Sequence, residues 1–352
     1  FRLPIAKTFI AQGYEVYVMS PSPYETYVER IMETGAIHIP YEMNAKFSPW
    51  GDLKLLFLYW RTYRQLKPNY VIHYTIKPNI YGSLAARANK IPSLAVVPGT
   101  GSVFQNSGMV SRMVGQLYKW AFRYPQKIWV LNEDDYRAFL VKNIVNQDRL
   151  AILPGEGVDT SFFCYKEYKR HSPFVFLYMG RMLREKGVEF MAKAVKLLHQ
   201  KGIDDFEVRL LGLVDGLSKD VISEEEISQW EKEGLVRFLG STSDVRPDIE
   251  EADCVLLPTF YGEGVPRSLM EACSMGRIVL ATDNVGCRDV VQDGYNGILC
   301  KPKDVEDLAA KMEMILSMPE QTIRDMGENG RKKMMVEFAE VKIVKRYLEE
   351  IS

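Results

Sequence analysis

Two glutamates eight residues apart, Glu263 and Glu271, frame a segment suited to holding an anion: Gly262-Glu263-Gly264-Val265-Pro266-Arg267-Ser268-Leu269-Met270-Glu271. The apolar run before it, Cys254 to Leu257, reads as a buried parallel strand. Pro258 and the glycines follow, a loop that brings bare backbone close to a ligand. Pro266 suits the first turn of a helix that continues through residues 267–274. The start of that helix, near Ser268 and Leu269, offers N–H groups without intrahelical partners and the positive end of the dipole, so phosphate fits between the two carboxylates. A second set follows another apolar run, Phe174 to Met179: Gly180-Arg181-Met182-Leu183-Arg184-Glu185-Lys186-Gly187. Cations at a helix start are unfavourable unless an anion sits among them, so Arg181 and Lys186 point to a negatively charged ligand. Preorganised there, they would stabilise charge developing on a departing phosphate.

The elements that must position these residues alternate along both halves. Strands are expected at residues 14–20, 35–40, 69–74, 94–97, 128–131 and 150–153, with helices at 5–12, 24–34, 53–66, 83–89, 112–123 and 133–141. After a hinge at 154–159, strands at 174–179, 207–211, 236–239, 254–257, 278–281 and 297–300 alternate with helices at 187–202, 224–233, 267–274 and 305–318, and one long helical tail runs from 321 to 351. This pattern over 352 residues predicts an α/β protein of two doubly wound, Rossmann-like domains, residues 1–160 and 161–335, with the cleft between them as the default site. Such a domain should open with a strand and a glycine-rich turn. Residues 1–7 already read as helix, so that strand and turn are expected outside this sequence.

Composition narrows the classes. Hydrophobic residues make up 47%, ample for two cores, and no apolar run approaches the ~18 residues of a spanning helix. The five cysteines, Cys164, Cys254, Cys273, Cys287 and Cys300, lack C-x-x-C spacing and read as reduced, buried thiols of a cytosolic protein. The net charge of −1 divides into +8 over residues 1–150 and −9 over the rest. Between Lys46 and Val130, 12 basic residues accompany a single acid, Asp52. Trp50, Phe57, Tyr59, Trp60, Tyr63, Tyr118, Trp120, Phe122 and Tyr124 are interleaved with them. With half of these rings assigned to the core, the remainder predict a surface that meets an anionic membrane leaflet. The chain has no D-x-D and no metal-ligand spacing, no P-loop, no Ser-His-Asp set and no nucleic-acid-binding module.

Glu263 and Glu271 with the surrounding G-x-P-R-S-L-M-E, together with G-R-…-K-G at 180–187, resemble the retaining, nucleotide-sugar-dependent glycosyltransferases of GT-B family four. The resemblance covers nearly the whole chain. It implies the GT-B architecture, two Rossmann-like domains facing across a cleft, with a last helix, 336–352, packing back toward the first. It also implies roles. Arg181 and Lys186 would stabilise the leaving diphosphate and Glu263 hold donor-sugar hydroxyls as catalytic residues. Glu271 would bind the ribose, with Gly264, Arg267, Ser268 and Leu269 around the phosphates and the nucleobase packed at the Leu239 backbone. Thr282 to Asp289 resembles the loop beside the donor sugar, although Cys287 and Asp289 stand where many members have Gly and Glu.

The acceptor side rests on Tyr74-Thr75-Ile76-Lys77-Pro78-Asn79-Ile80-Tyr81-Gly82. Tyr74 and Ile72 occupy the positions of the family's H-x-H pair, and His73 would face the other side of the strand, so no histidine role transfers. This form resembles the subgroup that adds amino sugars to polyprenyl-diphosphate-linked acceptors, and places Tyr74, Lys77 and the turn Gly99-Thr100-Gly101 on the acceptor side. The other reading of Lys77 is a solvated loop lysine. The resemblance implies a UDP-N-acetylhexosamine donor, a lipid-linked glycan acceptor and retention by front-face attack. No metal would be needed, because Arg, Lys and the helix dipole replace it. The protein would be cytoplasmic, held peripherally at the inner face of the plasma membrane. Two other readings keep the fold: a nucleotide-sugar 2-epimerase, which has no need of the basic aromatic patch, and an inactive binding protein, against which Arg181, Lys186, Glu263 and Glu271 all speak.

Overall fold

The computed structural model describes residues 2–21, 25–43, 48–99, 109–214 and 220–351. The chain divides into two compact units, 1–156 with 340–352, and 157–339.

The first unit runs α1 (Leu3–Ala11), β1 (Tyr17–Ser20), α2 (Glu25–Met32), β2 (Ile37–Pro40), α3 (Pro49–Leu66), β3 (Val71–Tyr74), α4 (Ser83–Ala88), β4 (Ser93–Val97), α5 (Met109–Ala121), β5 (Lys127–Val130), α6 (Glu133–Val141) and β6 (Leu150–Ile152). Strands β3-β4-β5-β6 form a parallel sheet in that order, and β1 pairs with β2 in a separate parallel pair. Every residue of β4 is buried, as expected of a central strand covered on both faces. Helix α3 starts four residues earlier than the apolar pattern predicts. The Ser48 side chain caps it by accepting from Gly51 N–H, and Pro49 fills its first turn. Leu55, Tyr59 and Tyr63 of α3 pack with Ala85 and Ala86 of α4. A cavity of about 1050 Å³ separates β1 from β3, lined by residues of α1 and α3 as well as by both strands.

The second unit contains β7 (Phe174–Met179), α7 (Val188–Gln200), β8 (Phe206–Leu211), α8 (Glu224–Lys232), β9 (Arg237–Gly240), α9 (Arg246–Glu250), β10 (Cys254–Leu257), α10 (Arg267–Ser274), β11 (Ile278–Thr282), α11 (Cys287–Val290), β12 (Gly297–Cys300), α12 (Val305–Leu316) and α13 (Glu320–Lys333). Its six strands are all parallel, in the order β12-β11-β10-β7-β8-β9. The order reverses between β7 and β10, the topological switch point at which such sheets bind ligands outside the carboxyl ends of their strands.

The helical tail expected over 321–351 is interrupted, and its last helix starts at residue 340 rather than 336. Helix α13 ends at Lys333, Met334 to Phe338 form a π-helical turn, Ala339 is extended with ψ of 126°, and α14 (Glu340–Ile351) follows. The cause is a local pairing: Val158 N–H donates to the Phe338 carbonyl at 2.9 Å, and Ala339 forms an isolated parallel bridge with Val158. Apolar spacing continues through the break, so periodicity alone does not reveal it. Helix α14 belongs to the first unit, where Tyr347 lies edge-on to Trp129 at 4.9 Å between ring centroids and Arg346 donates to the Ile152 carbonyl at 2.7 Å.

The thiols also differ in part from expectation. Cys254, Cys273, Cys287 and Cys300 are buried, but Cys164 is exposed, because it lies in the irregular segment before β7 and outside the apolar elements. Among the described residues no helix is long and apolar enough to cross a membrane.

Candidate active site

The loops that leave β7 and β10 meet at the switch point of the second unit. Lys186, after β7, forms an ion pair with Glu263, after β10. The Thr259 hydroxyl lies 3.1 Å from the same carboxylate oxygen, and the Lys186 ammonium sits 5.4 Å from the centre of the Tyr261 ring. The loops are locked by backbone contacts that only glycine permits. Gly187 has φ of 80°, and a Cβ there would lie 2.1 Å from the Pro258 carbonyl oxygen; Gly286 has φ of 78°, and a Cβ there would lie 2.5 Å from the Gly264 carbonyl oxygen. Between these contacts, the Asn284 amide donates to the Tyr261 carbonyl at 2.8 Å, and the Thr282 hydroxyl donates to the Thr259 carbonyl. The segment at 282–289, marked in the sequence only as pocket lining, thus buttresses the Glu263 loop from behind.

Helix α10 opens at Arg267 after Pro266, without a side-chain cap. Its first-turn N–H groups have no intrahelical partners by geometry. Leu269 is fully buried, so any contact it makes with an anion comes through its backbone N–H. Glu271, one turn in, accepts from Arg267 Nε at 3.2 Å. Burial raises the carboxyl pKa of Glu271, and the adjacent Arg267 guanidinium opposes that shift. Arg181 is exposed, and its carbonyl accepts from the Tyr178 hydroxyl at 2.7 Å, which fixes the backbone at the start of the loop while the guanidinium remains at the surface. Leu239 is partly buried near the end of β9, and the next residue, Gly240, accepts from Gly212 N–H at 2.7 Å. Among the described residues no cluster of three or more His, Cys, Asp or Glu side chains could hold a metal ion.

In the first unit, the expected acceptor-side residues fall at the carboxyl ends of β3 and β4. Tyr74 ends β3; the Arg2 guanidinium lies 3.9 Å from the centre of its ring and Tyr347 packs beside it. Lys77 is no solvated loop lysine: it is 6% exposed and pairs with Asp52 at 2.7 Å. Gly99 follows β4 with φ of 136°, while Thr100 and Gly101 lie outside the described residues. His73 is buried and faces away from that edge, with Nε2 2.9 Å from the Tyr63 hydroxyl and Nδ1 3.4 Å from the Ser83 hydroxyl.

Thr259 and Tyr261 were not legible as site residues in the sequence, and Asn284 was marked only as part of the pocket-lining segment. Each contributes backbone anchoring or a ring, and no spacing rule distinguishes such residues from ordinary loop residues. The only available signal was their position beside the two glycine loops.

The two doubly wound units are those of the GT-B fold. Residues 165–333 match the family described as glycosyl transferases group 1, and residues 1–132 match the glycosyl transferase 4-like family. Residues 165–333 thus form a group 1 glycosyltransferase domain, and the chain is a glycosyltransferase. It is 26% identical, over 99% of its own length and 94% of the relative's, to the N,N'-diacetylbacillosaminyl-diphospho-undecaprenol alpha-1,3-N-acetylgalactosaminyltransferase of Campylobacter jejuni. It is 24% identical, over 83% of its length and 77% of the relative's, to the UDP-Gal:alpha-D-GlcNAc-diphosphoundecaprenol alpha-1,3-galactosyltransferase of Escherichia coli. Among solved structures, Anabaena Alr3699/HepE in complex with UDP and glucose superposes with a TM-score of 0.80 at 18% identity, covering 99% of this chain and 94% of that one.

Proposed function

We propose that the protein transfers an N-acetylhexosamine, with retention of configuration, from a UDP-sugar to a polyprenyl-diphosphate-linked glycan. The observation that carries this reading is the meeting of Lys186 and Glu263 at the switch point beside the start of α10. That arrangement sets a cation and a helix N-terminus where a diphosphate would gain charge, and a carboxylate where sugar hydroxyls would lie. Arg181 adds a second cation, Glu271 suits the ribose, and the backbone at Leu239 suits the base. The two relatives that act on undecaprenyl-diphosphate-linked glycans support the acceptor class. A panel of nucleotide sugars, offered with and without a polyprenyl-diphosphate-linked glycan, tests it. UDP release that rises only when UDP-N-acetylhexosamine and the lipid-linked acceptor are both present is expected. Interconversion of the free nucleotide sugar without transfer would establish the epimerase reading instead.

The membrane surface belongs to the same proposal. Of the nine rings named above, Tyr59, Tyr63, Tyr118 and Phe122 are buried, Trp60 and Tyr124 are partly buried, and Trp50, Phe57 and Trp120 are 78%, 57% and 48% exposed. On α3 the exposed residues Trp50, Leu53, Lys54, Phe57, Arg61 and Arg64 recur at three- and four-residue steps and so share one face, opposite the buried Leu55, Tyr59 and Tyr63. An apolar stripe continued by cations suits the interface of an anionic leaflet, where each Lys or Arg contributes about 1 kcal/mol. Liposomes containing anionic lipid should retain the protein at low salt and release it in high salt or on charge reversal of Lys54, Arg61 and Arg64. Equal partition onto neutral and anionic vesicles would overturn this part of the reading.

A further inference from the structure

Two departures from regular backbone lie side by side in the first unit. Thr75 has φ of 66°, a left-handed conformation that β-branched residues avoid, and Pro78 to Gly82 form a π-helical turn, a rare geometry that recurs at functional sites. Such backbone persists only where its surroundings over-determine it. Here three anchors do so. Lys77 pairs with Asp52 at 2.7 Å with both side chains under a tenth exposed, and the other Asp52 oxygen accepts from Ser48 N–H at 3.1 Å. Asn79, fully buried, donates to the Val96 carbonyl of β4 at 2.8 Å. Gly82 lies so close to His73 that a Cβ would come within 2.5 Å of its ring. Thr75 itself is exposed, one residue past the carboxyl end of β3, where open parallel sheets meet their ligands. Glycine would adopt this φ without strain. Threonine brings a hydroxyl, both donor and acceptor, at a cost in stability that a ligand contact would offset.

We propose that Thr75 contacts the sugar of the acceptor through its hydroxyl, and that the buried Asp52–Lys77 pair is a positioning device that holds it there without touching the acceptor. This rests on the glycosyl-transfer reading and deepens it by naming the acceptor contact. The single acid of the basic stretch thereby gains a purpose: it neutralises the one lysine that is buried among the described residues of that stretch. The hydroxyl matches hydroxyl- or acetamido-bearing sugars, with which it exchanges one hydrogen bond.

Steady-state kinetics with a polyprenyl-diphosphate-linked glycan test this. Thr75→Ala should raise the acceptor KM by up to about tenfold, the worth of one hydrogen bond, and leave the affinity for UDP, read by calorimetry, unchanged. Thr75→Ser should restore the acceptor KM. Thr75→Gly should melt no lower than the wild type and yet show the raised KM, an outcome that a purely structural role does not produce. The neutral double variant Asp52→Asn/Lys77→Met, folded by circular dichroism, should raise the acceptor KM without changing the donor KM. A wild-type acceptor KM in Thr75→Ala overturns the contact, and a wild-type value in the folded double variant overturns the positioning role. A wild-type enzyme that transfers only to a soluble glycan overturns the lipid-linked acceptor instead, and the Thr75 series read against that glycan still decides the contact.

Discussion

Each unit places a lysine–carboxylate pair beside the carboxyl end of a parallel strand, and the two pairs are put to opposite uses. Lys186–Glu263 joins two glycine-bounded loops at the switch point of the second unit, with a helix start and an exposed arginine nearby. Lys77–Asp52 is sealed beneath α3, ties the first turn of that helix to a π-helical turn, and takes a further backbone N–H from Ser48. A charge pair on loops that can admit an anion is available for chemistry. A charge pair whose hydrogen bonds are all satisfied inside the protein is a clamp. The comparison teaches that residue types alone do not distinguish a catalytic pair from a structural one; the surrounding hydrogen-bond accounting does.

The largest effect expected from breaking the comparison is in the clamp. Lys77→Ala leaves the Asp52 carboxylate buried without its cation and should lower the stability of the first unit by about 3–5 kcal/mol in urea unfolding. At temperatures where the variant remains folded, its affinity for UDP should persist. Lys186→Ala and Arg181→Ala should do the reverse, lowering turnover by on the order of 10²–10³-fold with little change in melting temperature. A Lys186 variant that unfolds while Lys77→Ala merely slows catalysis would invert the assignment.

Smaller effects sharpen the donor side. Glu271→Ala should weaken UDP binding by about tenfold or more in calorimetry, the loss of a charge-assisted hydrogen bond. Unchanged affinity would remove Glu271 from the ribose. The first unit should show a pH signature of its own. Burial pushes the His73 imidazole down to about 3, so it stays neutral in the fold while the unfolded chain protonates near pH 6.5. Its contribution is therefore complete above about pH 6.5 and is lost as pH falls toward 3, at up to about 1.4 kcal/mol per pH unit. His73→Gln should flatten the difference in melting temperature between pH 7 and pH 5.5; an unchanged difference would mean that other groups carry it. The smallest effect is expected from chelation: EDTA should leave turnover unchanged, and loss restored by Mn²⁺ or Mg²⁺ would contradict the cation-and-dipole arrangement.

The second unit was the more legible in the sequence. Its apolar strands, glycine loops and the Glu263–Glu271 spacing are local signals, and the strands at 174–179, 254–257 and 297–300 lie where the apolar runs placed them. The direct bond between Lys186 and Glu263 spans 77 residues of chain, and only strand order brings it about. In the first unit, the basic stretch and its aromatic rings were visible, but which rings face out follows from the Ser48 cap and the Asp52 side of α3. The Lys77 pair and the left-handed Thr75 are tertiary consequences with no sequence period. The position of the break, at Ala339 rather than before residue 336, has the same cause: a single backbone pairing with Val158 interrupts an apolar spacing that continues through it.

The account stands most directly on the stereochemistry of the product. The protein, incubated with UDP-N-acetylhexosamine and a polyprenyl-diphosphate-linked glycan, should yield a lengthened lipid-linked glycan whose new linkage, read from the anomeric proton coupling, keeps the configuration of the donor, with one UDP released per sugar transferred. An inverted linkage would contradict the proposed front-face mechanism, and UDP released without any lengthened glycan would contradict transfer itself.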